Sequence, residues 1–144
     1  MAKKVFICSP YRGDIARNTE LARYIGHIAL ACGYIPIIPH LLYPTMLNDK
    51  KPDERVREIK IGAQLLEDCD VLWLIGGKVT TGMRYILDHA IFKGIPVELH
   101  DAECNHINPD TLSIDDRVTD EVREAVRGAK LVRGLRPAHP GGTL

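Results

Sequence analysis

A chain of 144 residues is long enough to bury one sizeable core and too short for two ordinary domains. Apolar residues make up 45% and charged residues 26%, and 19 basic groups balance 19 acidic ones, which argues against a broad basic face for nucleic-acid polymers or anionic membranes. No apolar run reaches bilayer length, no signal peptide precedes the first strand, and Cys8, Cys32, Cys69 and Cys104 form no CxxC pair, so a cytoplasmic protein with reduced thiols and no membrane contact is expected.

Residues 4–8, Lys-Val-Phe-Ile-Cys, read as a buried strand that runs into Ser9-Pro10-Tyr11-Arg12-Gly13-Asp14. Asp14 caps a first helix predicted to Cys32, with Ile15, Ala22, Ile25, Ala29 and Cys32 as its core stripe and Gly33 as its stop. Tyr34 to Ile38 form strand two, and Pro36 argues for an edge position because proline donates nothing to a ladder. A loop from His40 to Lys51 leads to a second helix over Pro52–Glu67, with Val56, Ile59, Ala63 and Leu66 on one face and proline in its first turn. Asp70 to Ile75 is a strand buried on both faces. A Gly/Thr loop over 76–82 precedes a third helix over Met83–Lys93, with Met83, Ile86, Leu87, Ala90 and Ile91 inward and Gly94 as stop. Ile95 to Leu99 is strand four, residues 102–116 read as a polar loop, and a fourth helix is predicted from about Thr119 to Arg127.

This alternation implies an α/β fold, a doubly wound, flavodoxin-like or Rossmann-like parallel sheet of four to five strands in the order 2-1-3-4, with a possible fifth. Residues 1–101 form the α/β domain, 102–134 a loop and helix packing on it, and 135–144 a flexible tail.

In that strand order the sheet reverses between strands one and three. Ligands of open α/β sheets bind at such switch points, beyond the carboxyl ends of the strands. The loops after those strands are the two polar loops, so an electropositive cup for a phosphorylated small molecule is expected there. Ser9 offers a hydroxyl, Arg12 a forked cation, and Gly13 close backbone approach, with Pro10 and Tyr11 in the same turn. Gly76, Thr80, Thr81, Gly82 and Met83 supply the second wall, and Asn18, His40 and Tyr43 are candidates for the rim. An ordinary βα turn with a surface arginine, and a plain Thr80 helix cap, would use the same residues. There is no G-x-G-x-x-G after strand one and no Walker A motif, so no cofactor is expected. Asp101, Cys104 and His106 match no strong zinc spacing and read as a solvated loop, so no metal is expected. Ser9 lacks a G-x-S-x-G elbow, Asp88 and His89 form no recognised dyad, and Trp73 suits the core or a subunit contact.

At Phe6-Ile7-Cys8-Ser9-Pro10-Tyr11-Arg12-Gly13, at Cys69-Asp70-Val71-Leu72-Trp73-Leu74-Ile75-Gly76, and at Thr81-Gly82-Met83-Arg84 with Ala90 and Gly94-Ile95-Pro96-Val97, the chain resembles the nucleoside 2-deoxyribosyltransferase-like superfamily, in its DUF4406 or DUF7768 branch. The resemblance covers roughly residues 4 to 100. It implies a small-molecule nucleoside or nucleotide ligand, a homodimer or higher homo-oligomer, and N-glycosidic-bond cleavage or transfer on deoxynucleosides or their 5′-monophosphates. It places phosphate on Ser9, Arg12 and Gly13 and on Thr80, Thr81 and Gly82; the base is expected to pack against the apolar residues near Tyr11, Leu42 and Tyr43. Family enzymes carry a nucleophilic glutamate where this chain has Ile86 and a supporting aspartate where it has Gly62. The glycosyl-enzyme route needs an ionised carboxylate beside the sugar. Either another acid, such as Asp88, Glu58 or Glu67, has taken over, or the chain is a catalytically inactive nucleotide sensor or interaction module. A purely structural subunit is a third expectation.

Overall fold

The computed structural model describes residues 2–108, 113–114 and 131–132. Strand β1 (Lys4–Cys8) leads into helix α1 (Ile15–Ala31), then β2 (Ile35–Ile37) and two short 3-10 turns at Pro39–Leu41 and Tyr43–Thr45. Helix α2 (Pro52–Glu67), β3 (Val71–Ile75), β4 (Lys78–Val79), α3 (Thr81–Lys93) and β5 (Val97–His100) follow, with two-residue strands β6 (Ser113–Ile114) and β7 (Leu131–Val132). The main sheet has the order β2-β1-β3-β5-β7, and all its pairings are parallel. The predicted order of the first four strands holds, Pro36 lies on the edge strand, and β7 is the fifth strand. The helix predicted over 119–127 and the tail over 135–144 lie outside the described residues.

Strand alternation divides the core into two layers. Phe6, Cys8, Leu72, Leu74, Val97 and Leu99 face α2 and α3, where Leu66, Met83, Leu87 and Ala90 meet them. Val5, Ile7, Val71, Trp73 and Ile75 face α1, where Ile25 and Ala29 close the layer. Each fully buried aliphatic side chain contributes about 1.5–3 kcal/mol of transfer free energy. The helix faces depart from the predicted stripes at their first turns: Ile15 and Val56 are about half exposed. Gly26 instead joins the α1 stripe, and a Cβ there would stand 2.8 Å from Ile38 Cδ1, so a larger residue would require the end of the Ile38 side chain to shift.

The helix ends obey capping chemistry. Asp14 accepts from the Arg17 N–H at 3.1 Å, and Thr80 Oγ1 accepts from the Met83 N–H at 3.2 Å. Helix α1 ends with Tyr34 N–H on the Ala29 carbonyl and Gly33 N–H on that of Leu30, and α3 ends the same way around Gly94 at φ +71°. The loop over 76–82 carries a strand that periodicity could not show: Lys78–Val79 pairs in parallel with Ser113–Ile114. No helix among the described residues is long and apolar enough to cross a membrane.

Candidate functional site

The β1–α1 turn and the start of α3 come together at the carboxyl ends of β1 and β3. They enclose a cavity of about 460 Å³, lined by Ser9, Pro10, Tyr11, Arg12 and Gly13 on one side and by Lys78, Thr80, Thr81, Gly82 and Met83 on another. His40 and Pro39 line it from the segment after β2. Helix α2 closes it with Arg55, Glu58, Ile59 and Gly62, spaced i, i+3, i+4, i+7 along one stripe, and Asp49 reaches in from the preceding loop. Phe6 and Ile86 complete an apolar floor.

Ser9 is fully buried, and its Oγ has no hydrogen-bond partner among the described residues. A buried hydroxyl left unpartnered is costly, and here it lines an open space. The turn itself is held rigidly: Asn18 Nδ2 donates to the carbonyls of Tyr11 (3.0 Å) and Arg12 (3.1 Å). Asn18 is therefore a brace behind the wall rather than a rim residue. Gly13 has φ +98°, and a Cβ there would meet nothing within 4 Å. The turn needs glycine for its left-handed backbone. Gly76 is not among the lining residues: its N–H donates to the His100 carbonyl at 2.8 Å, and it stands behind Pro10. Tyr43 and the half-exposed Leu42 also fall outside the lining; Tyr11, tilted against His40 at 5.0 Å between ring centroids, and Phe6 on the floor are the aromatic surfaces of the cavity.

The charge of the cavity is mixed rather than uniformly positive. Arg12 is already engaged by Asp49, through Nε to Oδ2 at 3.1 Å and a second guanidinium nitrogen to the Asp49 carbonyl at 3.1 Å. Arg55 and Lys78 add two cations, and Glu58 a second carboxylate. Burial raises the Glu58 pKa above the usual carboxylate range and Asp49 pushes it the same way, against the smaller pull of Arg12 and Arg55. Burial also lowers the His40 pKa, against Asp49 and a hydrogen bond to the Ser9 backbone, and so favours the neutral ring. Of the three acids expected as alternatives, Glu58 lines the cavity, whereas Asp88 is exposed and Glu67 is turned to His89 (3.0 Å) and Lys93 (3.6 Å). The Gly62 and Ile86 positions adjoin: a Cβ on Gly62 would lie 3.1 Å from Ile86 Cδ1. A glycine and an isoleucine share the space on the cavity floor.

Sequence reasoning missed Asp49, Arg55 and Lys78. The α2 stripe was the available signal, since Arg55, Glu58 and Gly62 are odd companions for Ile59 on a face expected to be apolar.

The chain belongs to the DUF7768 family, a domain of unknown function whose family model matches residues 3–100. No curated protein matches it. Its fold is similar to that of the solved 2-deoxyribosyltransferase from Bacillus psychrosaccharolyticus, at 17% identity, TM-score 0.58, and coverage of 78% of this chain and 85% of that one. It is also similar to the 2-deoxyribosyltransferase from Leishmania mexicana, at 13% identity, TM-score 0.50, and coverage of 80% and 79%. These likenesses define the fold as 2-deoxyribosyltransferase-like.

Proposed function

We propose that this protein binds a nucleoside or nucleoside 5′-monophosphate in the cavity beyond β1 and β3 and cleaves its N-glycosidic bond. The observation that carries the reading is the unpartnered, buried Ser9 hydroxyl in a cavity that also holds Glu58. A ligand oxygen meeting Ser9 removes the cost of the orphaned group. Lys78, Arg55 and the N-terminal turn of α3 favour a phosphate, and Tyr11 offers a face for the base. The fold shared with 2-deoxyribosyltransferases supports the substrate class.

Glu58 takes the chemical role. Its raised pKa suits a carboxylic acid that gives its proton to the departing base while water adds at the anomeric carbon and releases a proton to solvent, from which Glu58 is reprotonated. No covalent glycosyl-enzyme is required at Ile86. The test is incubation with the common nucleosides and their monophosphates, followed by chromatography for free base. Release of base by the wild type, lost by about a hundredfold or more in Glu58→Gln, is the expected result. Absence of binding by calorimetry at millimolar ligand would end the proposal.

The Gly62–Ile86 contact favours a second reading, a nucleotide sensor that keeps the fold and has lost turnover. It predicts binding with no base released, by wild type and Glu58→Gln alike.

A further inference from the structure

On the opposite face of the sheet, away from the cavity, three ligand-bearing side chains converge. Glu98 and His100 sit two apart on β5 and point to the α1 side, in the layer of Trp73. The expected solvated loop over Asp101–His106 is instead a tight reversal. Asp101 Oδ1 accepts from the N–H groups of Glu103 (2.9 Å) and Asn105 (2.8 Å), Cys104 takes φ +65° and is buried, and His106 bridges back antiparallel to His100. The two imidazole rings stand 4.5 Å apart at 62°.

Glu98 Oε1 lies 3.4 Å from His100 Nε2 and 3.6 Å from His106 Nε2, and the three ligand atoms are all within 4.8 Å of one another. His100 is fully buried, and its Nδ1 lies 3.2 Å from the Cys104 carbonyl. A carbonyl only accepts, so Nδ1 carries the proton, and in the neutral ring Nε2 is left with a lone pair. That lone pair faces a carboxylate oxygen, which is also an acceptor. Two acceptors at this distance require a positive charge between them. One proton can join one pair, whereas a metal ion satisfies all three at once.

We propose that Glu98, His100 and His106 form a divalent-metal site, with zinc as the ion that fits. Metal–ligand bonds of about 2.0–2.1 Å place neighbouring donors of a tetrahedral zinc about 3.4 Å apart, close to the two separations found. An octahedral ion with bonds of similar length needs its ligands nearer, about 3.0 Å. Two imidazoles and one carboxylate also make a set that zinc accepts, leaving one position for water or a further ligand. The Nδ1–H to backbone carbonyl bond is the outer support that metal-bound histidines use. Bound here, the ion ties β5 to the reversal at 101–106.

The single tryptophan makes the test direct, because the Trp73 ring lies 4.8 Å from that of His100. The full-length protein is stripped with chelator, then titrated with ZnCl2 and, separately, with CoCl2. The expected results are one zinc per chain after dialysis, quenching of Trp73 emission by Co2+ with visible absorption of tetrahedral form, and reversal of both by excess Zn2+. Glu98→Gln and His106→Gln each weaken zinc at least tenfold and abolish the cobalt absorption. His106 lies on the loop, so its variant keeps the β5 core even if Glu98→Gln misfolds. Absence of stoichiometric zinc in the wild type, or zinc and quenching unchanged in His106→Gln, overturns the proposal. Nucleotide binding in the other cavity is a separate measurement, so failure of either proposal leaves the other standing.

Discussion

Glu58 joins chemistry and stability in one side chain. Its folded pKa is raised chiefly by burial, so the fold prefers its protonated form. The stabilising contribution is therefore full below the ordinary carboxylate range and is lost as pH rises through the folded pKa. Above its folded pKa the partly buried, ionised carboxylate is a local burden, and Glu58→Gln is expected to raise the melting temperature there. The gain should vanish as pH falls into the carboxylate range. Scanning calorimetry of both proteins at several pH values checks this, and a gain independent of pH would show that charge is not the cause. The thiols obey the same logic. Burial pushes Cys8 and Cys104 up to about 12 and Cys69 up to about 11. Thiolate is scarce at neutral pH, so alkylation of the native protein should be slow, led by the half-buried Cys32, and should accelerate sharply in denaturant. Mass spectrometry of timed samples reads the order.

Thr80 carries two duties at the start of α3. Its hydroxyl caps the Met83 N–H, and its side of the turn lines the cavity. Thr80→Ala should cost about 1 kcal/mol in urea denaturation, while Thr80→Ser keeps most of the cap. The elements were legible wherever one physical signal dominated. Asp14, Gly33, Pro36, Pro52 and Gly94 marked ends and edges because each does something other residues do poorly. Strands β4 and β6 were not legible, since two residues show no period and their partner lies far along the chain. The 101–106 segment misled for a related reason. Its composition is polar, and only the Asp101 turn folds Cys104 and His106 back against β5. Of the candidate site, the two loops followed from strand order, whereas Asp49 depended on the path of the 40–51 loop, which no local pattern specifies.

At the scale of the whole molecule, the parallel sheet separates two chemistries. The α2–α3 face and the carboxyl ends of β1 and β3 hold the open cavity, and the α1 face holds the Glu98, His100 and His106 cluster. The cavity is assembled from β1, the segment after β2, α2 and α3, so keeping it open constrains the entire fold. His40 reports on that constraint. Its ring packs at a tilt against Tyr11 just after β2, and burial sets its folded pKa below the ordinary histidine value. The contribution of the neutral ring is full above the ordinary histidine pKa and is lost as pH falls through the lowered folded one. The informative quantity is the difference between wild type and His40→Gln. Urea midpoints measured from about pH 7.5 down to about pH 5 should fall more steeply for the wild type, with the slope m unchanged. Equal slopes would mean that His40 can take up a proton without leaving its place, and that the wall between Tyr11 and the β2 edge is looser than the packing indicates.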